Sequence, residues 1–305
     1  MSTLDRRTFL AATAAGLAAR TLPALAATPY AFRHGAFDVT IVSDGYLVLP
    51  TSSLAPNAPP TEREVLLRAA GQTGDRYNSP TNVTLIRTAN DLILIDMGSG
   101  ERFMPTAGRL WDNLKAAGID KSKITKVIFT HGHPDHLWGT VDELDELVIP
   151  DATFYVASAE WDFWTGDSAT RGLPSERAGF VTGARRNYAA IKGKVKMVKA
   201  GDEIVSGLRL IDTAGHTQGH VSIELAGADG LIVGGDVLID APIYFRHPEW
   251  TYAGDHVPDQ AVTTRRKLLD RLAADRSKLI GFHLPYPGVG TVERKDNAYR
   301  FVPAA

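Results

Sequence analysis

The chain of 305 residues carries 33 Lys and Arg against 35 Asp and Glu, a formal net charge of −2. That balance excludes a basic nucleic-acid module, whose footprint is a strong cationic excess, and 44% apolar residues with 28 Gly and 17 Pro mark a globular rather than a disordered chain. With no cysteine at all, disulfides, thiolate zinc sites, iron–sulfur clusters and a cysteine nucleophile are ruled out, so any metal must be held by His, Asp, Glu or backbone oxygen.

The first 27 residues read as an address label to be set aside from the fold. Asp5-Arg6-Arg7-Thr8-Phe9-Leu10 resembles a twin-arginine export signal, and the Ala-rich run Ala11–Leu25 is followed by a small-x-small cleavage site at Ala24-Leu25-Ala26. Arg20 and Pro23 interrupt that run, which is also too short and too weakly apolar for a stable membrane span of roughly 20 residues. A periplasmic or secreted protein is expected, folded and loaded before transport.

Beyond the label, Phe37–Val42 and Tyr46–Leu49 alternate around Asp44-Gly45, which predicts a hairpin. Thr51–Pro60 reads as a loop and Glu62–Ala70 as a short helix; Val83–Arg87 and Leu92–Asp96 form a second hairpin. Leu110 and Leu114, at i and i+4 with Gly118 as a stop, place a helix over Thr106–Ala117. Strands follow at Lys126–Thr130, Thr153–Val156, Lys194–Val198, Leu208–Asp212, His220–Leu225 and Leu231–Gly235, with Lys278–Phe282 as the last. Helices are expected near Val141–Leu147, Ser158–Trp164, Ser175–Ile191 and Asp259–Ala274. The pattern predicts one domain, residues 36–305, with helices outside two sheets.

His131-Gly132-His133-Pro134-Asp135-His136 places four potential ligands within six residues, directly after a buried strand. Imidazoles and a carboxylate clustered in this way repel or must be desolvated unless a cation unites them. His216, Asp236 and His283 each follow a further strand, the position where α/β architectures gather their sites. These seven ligands exceed what one catalytic zinc takes from protein and suit two metals bridged by a carboxylate. Asp96 also ends a strand and is assigned a structural role beside the neighbouring loops. His220 is expected to bond loop backbone, and His34, His247 and His256 have no partner at ligand spacing.

His131-x-His133-x-Asp135-His136 with the later His216, Asp236 and His283 resembles the metallo-β-lactamase superfamily of αββα metallohydrolases. Within it, Phe37–Leu49, Phe103–Leu110, His283–Gly290 and Tyr299–Pro303 are similar to the methyl parathion hydrolase group and its lactonase or arylesterase relatives. The resemblance implies an α+β four-layer αββα sandwich. It also implies that His131, His133 and His216 hold one metal, that Asp135, His136 and His283 hold the other, and that Asp236 bridges them. Homoserine-lactone lactonases of the superfamily usually carry a Tyr three residues after the bridging Asp, where this chain has Ile239. Asp135 stands where many β-lactamases have Arg or Cys.

A metal-dependent hydrolase is therefore expected. Two divalent cations, zinc foremost with Mn, Fe or Co also suited, sharpen a shared water into hydroxide that attacks a lactone, an aryl ester or an organophosphate triester; Asp135 and Asp236 are the catalytic carboxylates. The group resemblance places Phe103, Trp164 and Phe180 on the leaving-group side, and Tyr286, three residues after His283, is within reach of the same space. Core packing is the competing role for each of these aromatics. The expected substrate is small and neutral or weakly charged, and dimers in the group make a homodimer compatible. The competing activities are a mononuclear iron oxygenase of the persulfide dioxygenase kind, a β-lactam hydrolase, and a non-catalytic zinc-dependent binding protein.

Overall fold

The computed structural model describes residues 28–173, 175–227 and 229–304; residues 1–27, for which an export signal is expected, lie outside the described residues. The β-branched and Leu-rich runs pair into two sheets of seven strands. The first runs, in spatial order, β1 (Tyr30–His34), β2 (Phe37–Pro50), β3 (Arg76–Arg87), β4 (Leu92–Ile95), β5 (Lys126–Ile128), β6 (Thr153–Ala157) and β7 (Val195–Val198). The second runs backwards through the chain. From one edge to the other it consists of β14 (Ala298–Pro303), β13 (Val289–Lys295), β12 (Lys278–Ile280), β11 (Leu231–Val233), β10 (Val221–Leu225), β9 (Leu208–Asp212) and β8 (Glu203–Val205). β4 to β7 pair in parallel, as do β11 and β12, and the other pairs are antiparallel.

Side-chain alternation divides the core into three. Phe37, Val39, Ile41, Ile93 and Ile95 of the first sheet meet Leu208, Leu210, Val221 and Ile223 of the second. On the outer face of the first sheet, Leu92, Leu94 and Val127 pack against Leu110 and Leu114 of helix Leu110–Ala116 and Val181, Tyr188 and Ile191 of helix Ala178–Ile191. On the outer face of the second, Ile232 and Leu279 pack against Leu268, Leu269 and Leu272 of helix Pro258–Asp275. Each such residue contributes about 1.5–3 kcal/mol by leaving water. The layers are helix, sheet, sheet, helix, the expected αββα sandwich.

Several local expectations are corrected. Phe37–Pro50 is one bulged strand, not a hairpin: the register shifts between Ser43 and Gly45, and a Cβ at Gly45, at φ +109°, would overlap the Thr106 carbonyl. Asp44 is buried instead of turning outward, and its carboxylate accepts N–H bonds from Ser99, Gly108 and Leu110 at 2.8, 3.2 and 2.8 Å. Val141–Leu147 is not helical, because Asp142 accepts from the N–H groups of Leu144 and Glu146 and closes a turn bridged by Val141 and Leu147. The strand hairpin β13–β14 follows the strand expected to be last, and β1 joins the first sheet ahead of residue 36.

Candidate metal centre

Parallel strands deliver their following loops to the same end of a sheet, and here both sheets do so at one end of the sandwich. His131 follows β5, His133 caps the short helix Pro134–Leu137, and Asp135 and His136 lie within it. From the second sheet, His216 lies between β9 and β10, Asp236 in the turn Gly235–Val237 after β11, and His283 after β12. All seven are buried. They converge on two groups that share Asp236, one of His131, His133, His216 and Asp236 and the other of Asp135, His136, Asp236 and His283, with ligand atoms within 4.8 Å of one another in each.

In the first group, His133 Nδ1 lies 3.0 Å from His131 Nε2 and 2.9 Å from His216 Nε2. One proton cannot serve both contacts, whereas one cation satisfies three lone pairs at once. Asp236 directs Oδ2 to His216 at 3.3 Å and to His131 at 3.8 Å, and also to His283 Nε2 at 3.1 Å, while Oδ1 lies 3.1 Å from His136 Nε2. In the second group, Asp135 Oδ2 is 3.3 Å from His283 Nε2 and 3.5 Å from His136 Nε2. Asp135 Oδ2, His136 Nε2 and Asp236 Oδ1 are buried without an aligned hydrogen bond, an arrangement that costs free energy unless a ligand completes it. The donors fit two divalent cations.

The electrostatics agree. Burial opposes charge on His216 and His283, yet neighbouring carboxylates overcome it and hold them up at about 9 and about 10. Burial and the adjacent imidazoles push His131 and His133 well below the usual histidine range. Burial opposes ionisation of Asp135 and Asp236, but the imidazoles, His136 first, bring both below the usual carboxylate range. The carboxylates are therefore negative at neutral pH, and the positive charge that faces them is carried by the imidazoles of His136, His216 and His283, which they hold above the usual histidine range.

An outer ring of partners fixes the rings. Asp96 Oδ2 lies 2.8 Å from His136 Nδ1 and accepts from the Thr130 hydroxyl. Asp255 joins His216 Nδ1 (2.9 Å) to Arg265 (3.3 Å). His283 Nδ1 lies 2.8 Å from the Pro80 carbonyl, and His220 Nε2 accepts from the Asp236 N–H at 3.0 Å. His256, expected to have no partner at ligand spacing, has Nε2 3.0 Å from Nε2 of His133. The adjacent Asp255-His256 pair just before a helix beginning at Pro258 was the available signal for this ring.

The model of the metallo-beta-lactamase superfamily matches residues 76–283. The chain belongs to that superfamily. Among solved structures, this superfamily member is similar to AidC, a dizinc quorum-quenching lactonase (27% identity, TM-score 0.84, 91% of this chain and 97% of that one). It is also similar to AbOPH, a hydrolase in the beta lactamase superfamily (29% identity, TM-score 0.84, 92% and 98%). An uncharacterized protein of Mycobacterium tuberculosis is 29% identical over 166 residues, 52% of this chain and 66% of that protein's length.

The aromatics of this metallo-β-lactamase-fold chain divide. Phe180 lies 6.0 Å from His133 and 5.9 Å from Phe103, and Phe103 lies 5.5 Å from Trp138, in edge-to-face contacts that form a half-buried wall beside the first group. Trp164, expected on this side, is fully buried in the core with its edge toward His133, and its indole N–H donates to Glu160 at 2.6 Å. Tyr286 faces elsewhere: its hydroxyl donates to the carbonyls of Thr28 and Ile41 and its ring packs on the core between the sheets. Ile239 is buried in the outer core of the second sheet.

Proposed function

We propose that this protein is an exported binuclear metal-dependent hydrolase, with zinc as its metal, that opens lactones and cleaves aryl esters. The observation that carries the reading is Asp236, whose carboxylate is shared by both donor groups, with Oδ1 3.1 Å from His136 and Oδ2 facing His131 and His216 of the first group as well as His283 of the second at 3.1 Å. Two divalent cations bound there supply Lewis acidity and lower the pKa of water from 15.7 towards about 7. Asp236 sets the spacing of the two positions, and the His220 bond to its backbone N–H holds it in register. Asp135 would hold the second cation through Oδ2, which faces His136 and His283, and as the second catalytic carboxylate it would accept a hydrogen bond from the attacking water and carry its proton toward the leaving group. Phe103, Trp138 and Phe180 offer an apolar surface beside His133, suited to an acyl chain or an aryl leaving group.

The likeness to AidC supports a lactone, and the likeness to AbOPH supports a hydrolase without naming its substrate. The twin-arginine-type segment supports export. The test is metal analysis of the purified protein together with a panel of γ- and δ-lactones, p-nitrophenyl esters, a paraoxon-type phosphotriester and a β-lactam. Two metals per chain with turnover of lactones and aryl esters is the expected result. One iron per chain with oxygen consumption, or turnover of the β-lactam alone, overturns it.

A further inference from the structure

Glu160, on helix Ser158–Thr165, is 1% exposed, and each of its carboxylate oxygens serves a different sheet. Oε1 accepts from the Gly132 N–H at 2.8 Å and the Trp164 indole at 2.6 Å. Oε2 accepts from the Thr217 hydroxyl at 2.7 Å and the Gly219 N–H at 2.9 Å. Gly132 lies between His131 and His133, and Thr217 follows His216. The carboxylate thus ties together the two loops that bring the ring nitrogens of His131 and His216 within 3.0 Å of His133 Nδ1.

The tie is close-packed. A Cβ at Gly132 would overlap the Trp164 indole, and a Cβ at Gly219 would overlap the backbone of Glu160. Four donors converge on two oxygens, a demand that an amide cannot meet because its nitrogen donates rather than accepts. Burying a carboxylate is costly, so a Glu here without a cation partner calls for a reason beyond packing. The second donor group contains Asp135 and Asp236, whereas the first contains only the shared Asp236.

We infer that Glu160 is a positioning residue for the metal held by His131, His133 and His216, setting the spacing of their loops and adding negative charge near a donor set poor in carboxylates. The inference rests on the binuclear reading above. It concerns affinity at one position, not the chemistry, and it predicts that the two metal positions respond unequally to change at Glu160.

The test is chelator competition on the zinc-loaded full chain, with metal counted by mass spectrometry and folding followed by circular dichroism. Glu160→Gln is expected to weaken one of the two zinc positions about 10–100-fold, the scale of loss when a residue supporting a ligand is changed, and to leave the other near wild type. Thr217→Val, which removes one bond on the second-sheet side, should weaken the same position by less. Equal loss at both positions in Thr217→Val, or wild-type affinity at both in a folded Glu160→Gln, overturns the inference while the binuclear reading stands. A wild-type chain that binds no zinc overturns the binuclear reading itself.

Discussion

Asp96 Oδ2 and His136 Nδ1 lie 2.8 Å apart, both fully buried, with Asp96 held at φ +65° at the end of β4. The carboxylate fixes the ring so that Nε2 faces Asp236. Asp96→Asn keeps the shape and removes the charge. It should weaken metal binding about 10–100-fold, and chelator competition measures this. Unchanged affinity would make Asp96 a support for Thr130 alone.

Asp236 belongs to both donor groups, so its loss should be felt at both. Asp236→Ala is expected to release both metals and to lower turnover by at least about three decades. Metal content and kcat on a p-nitrophenyl ester report the two effects, and turnover near wild type would refute the bridging role.

Phe180 and Trp164 predict opposite phenotypes. Phe180 stands in the half-buried wall beside His133, so Phe180→Ala should raise KM for aryl esters several-fold with little change in kcat, the sign of lost uniform binding. Trp164 has no exposed surface. Its replacement by Ala should cost about 3–5 kcal/mol of stability through the cavity left behind, seen as a lowered Tm. A raised KM without a stability loss would place the Trp164 ring at the substrate instead.

Asp44 predicts a pH dependence. Burial outweighs its three N–H bonds and raises it from 3.8 to about 6. Across that window the folded chain holds a proton that the unfolded chain has released, so this group's contribution to stability falls as pH rises from about 4 to about 6. At about 1.36 kcal/mol per pKa unit the effect is on the order of 3 kcal/mol at most. Asp44→Asn should abolish this slope in urea unfolding followed across the window; identical pH profiles for the two proteins would show that Asp44 ionises normally.

The site was more legible than its surroundings. His131, His133, Asp135 and His136 sit together in sequence, and His216, Asp236 and His283 each follow a short apolar strand, so period and spacing were enough to nominate them. Glu160 carries no such mark, because Gly132 and Gly219 lie tens of residues away, and Asp255-His256 offers only its adjacency, since His216 and His133 are far off in sequence. Asp44-Gly45 was misread because a bulge and a hairpin turn call for the same pair, and only the buried N–H donors of Ser99, Gly108 and Leu110 distinguish them. Phe180 and Trp164 both lie on helices beside His133, and exposure alone separates a wall beside the site from a core ring.

Each donor group draws two residues from the first half of the fold and two from the second: His131 and His133 with His216 and Asp236, then Asp135 and His136 with Asp236 and His283. Cations seated there act as rivets through the sandwich. Neither half on its own carries a full donor set, so a chain severed between β7 and β8 would recover tight metal uptake only when its fragments reassociate, and metal retention becomes a gauge of how firmly the halves are clasped.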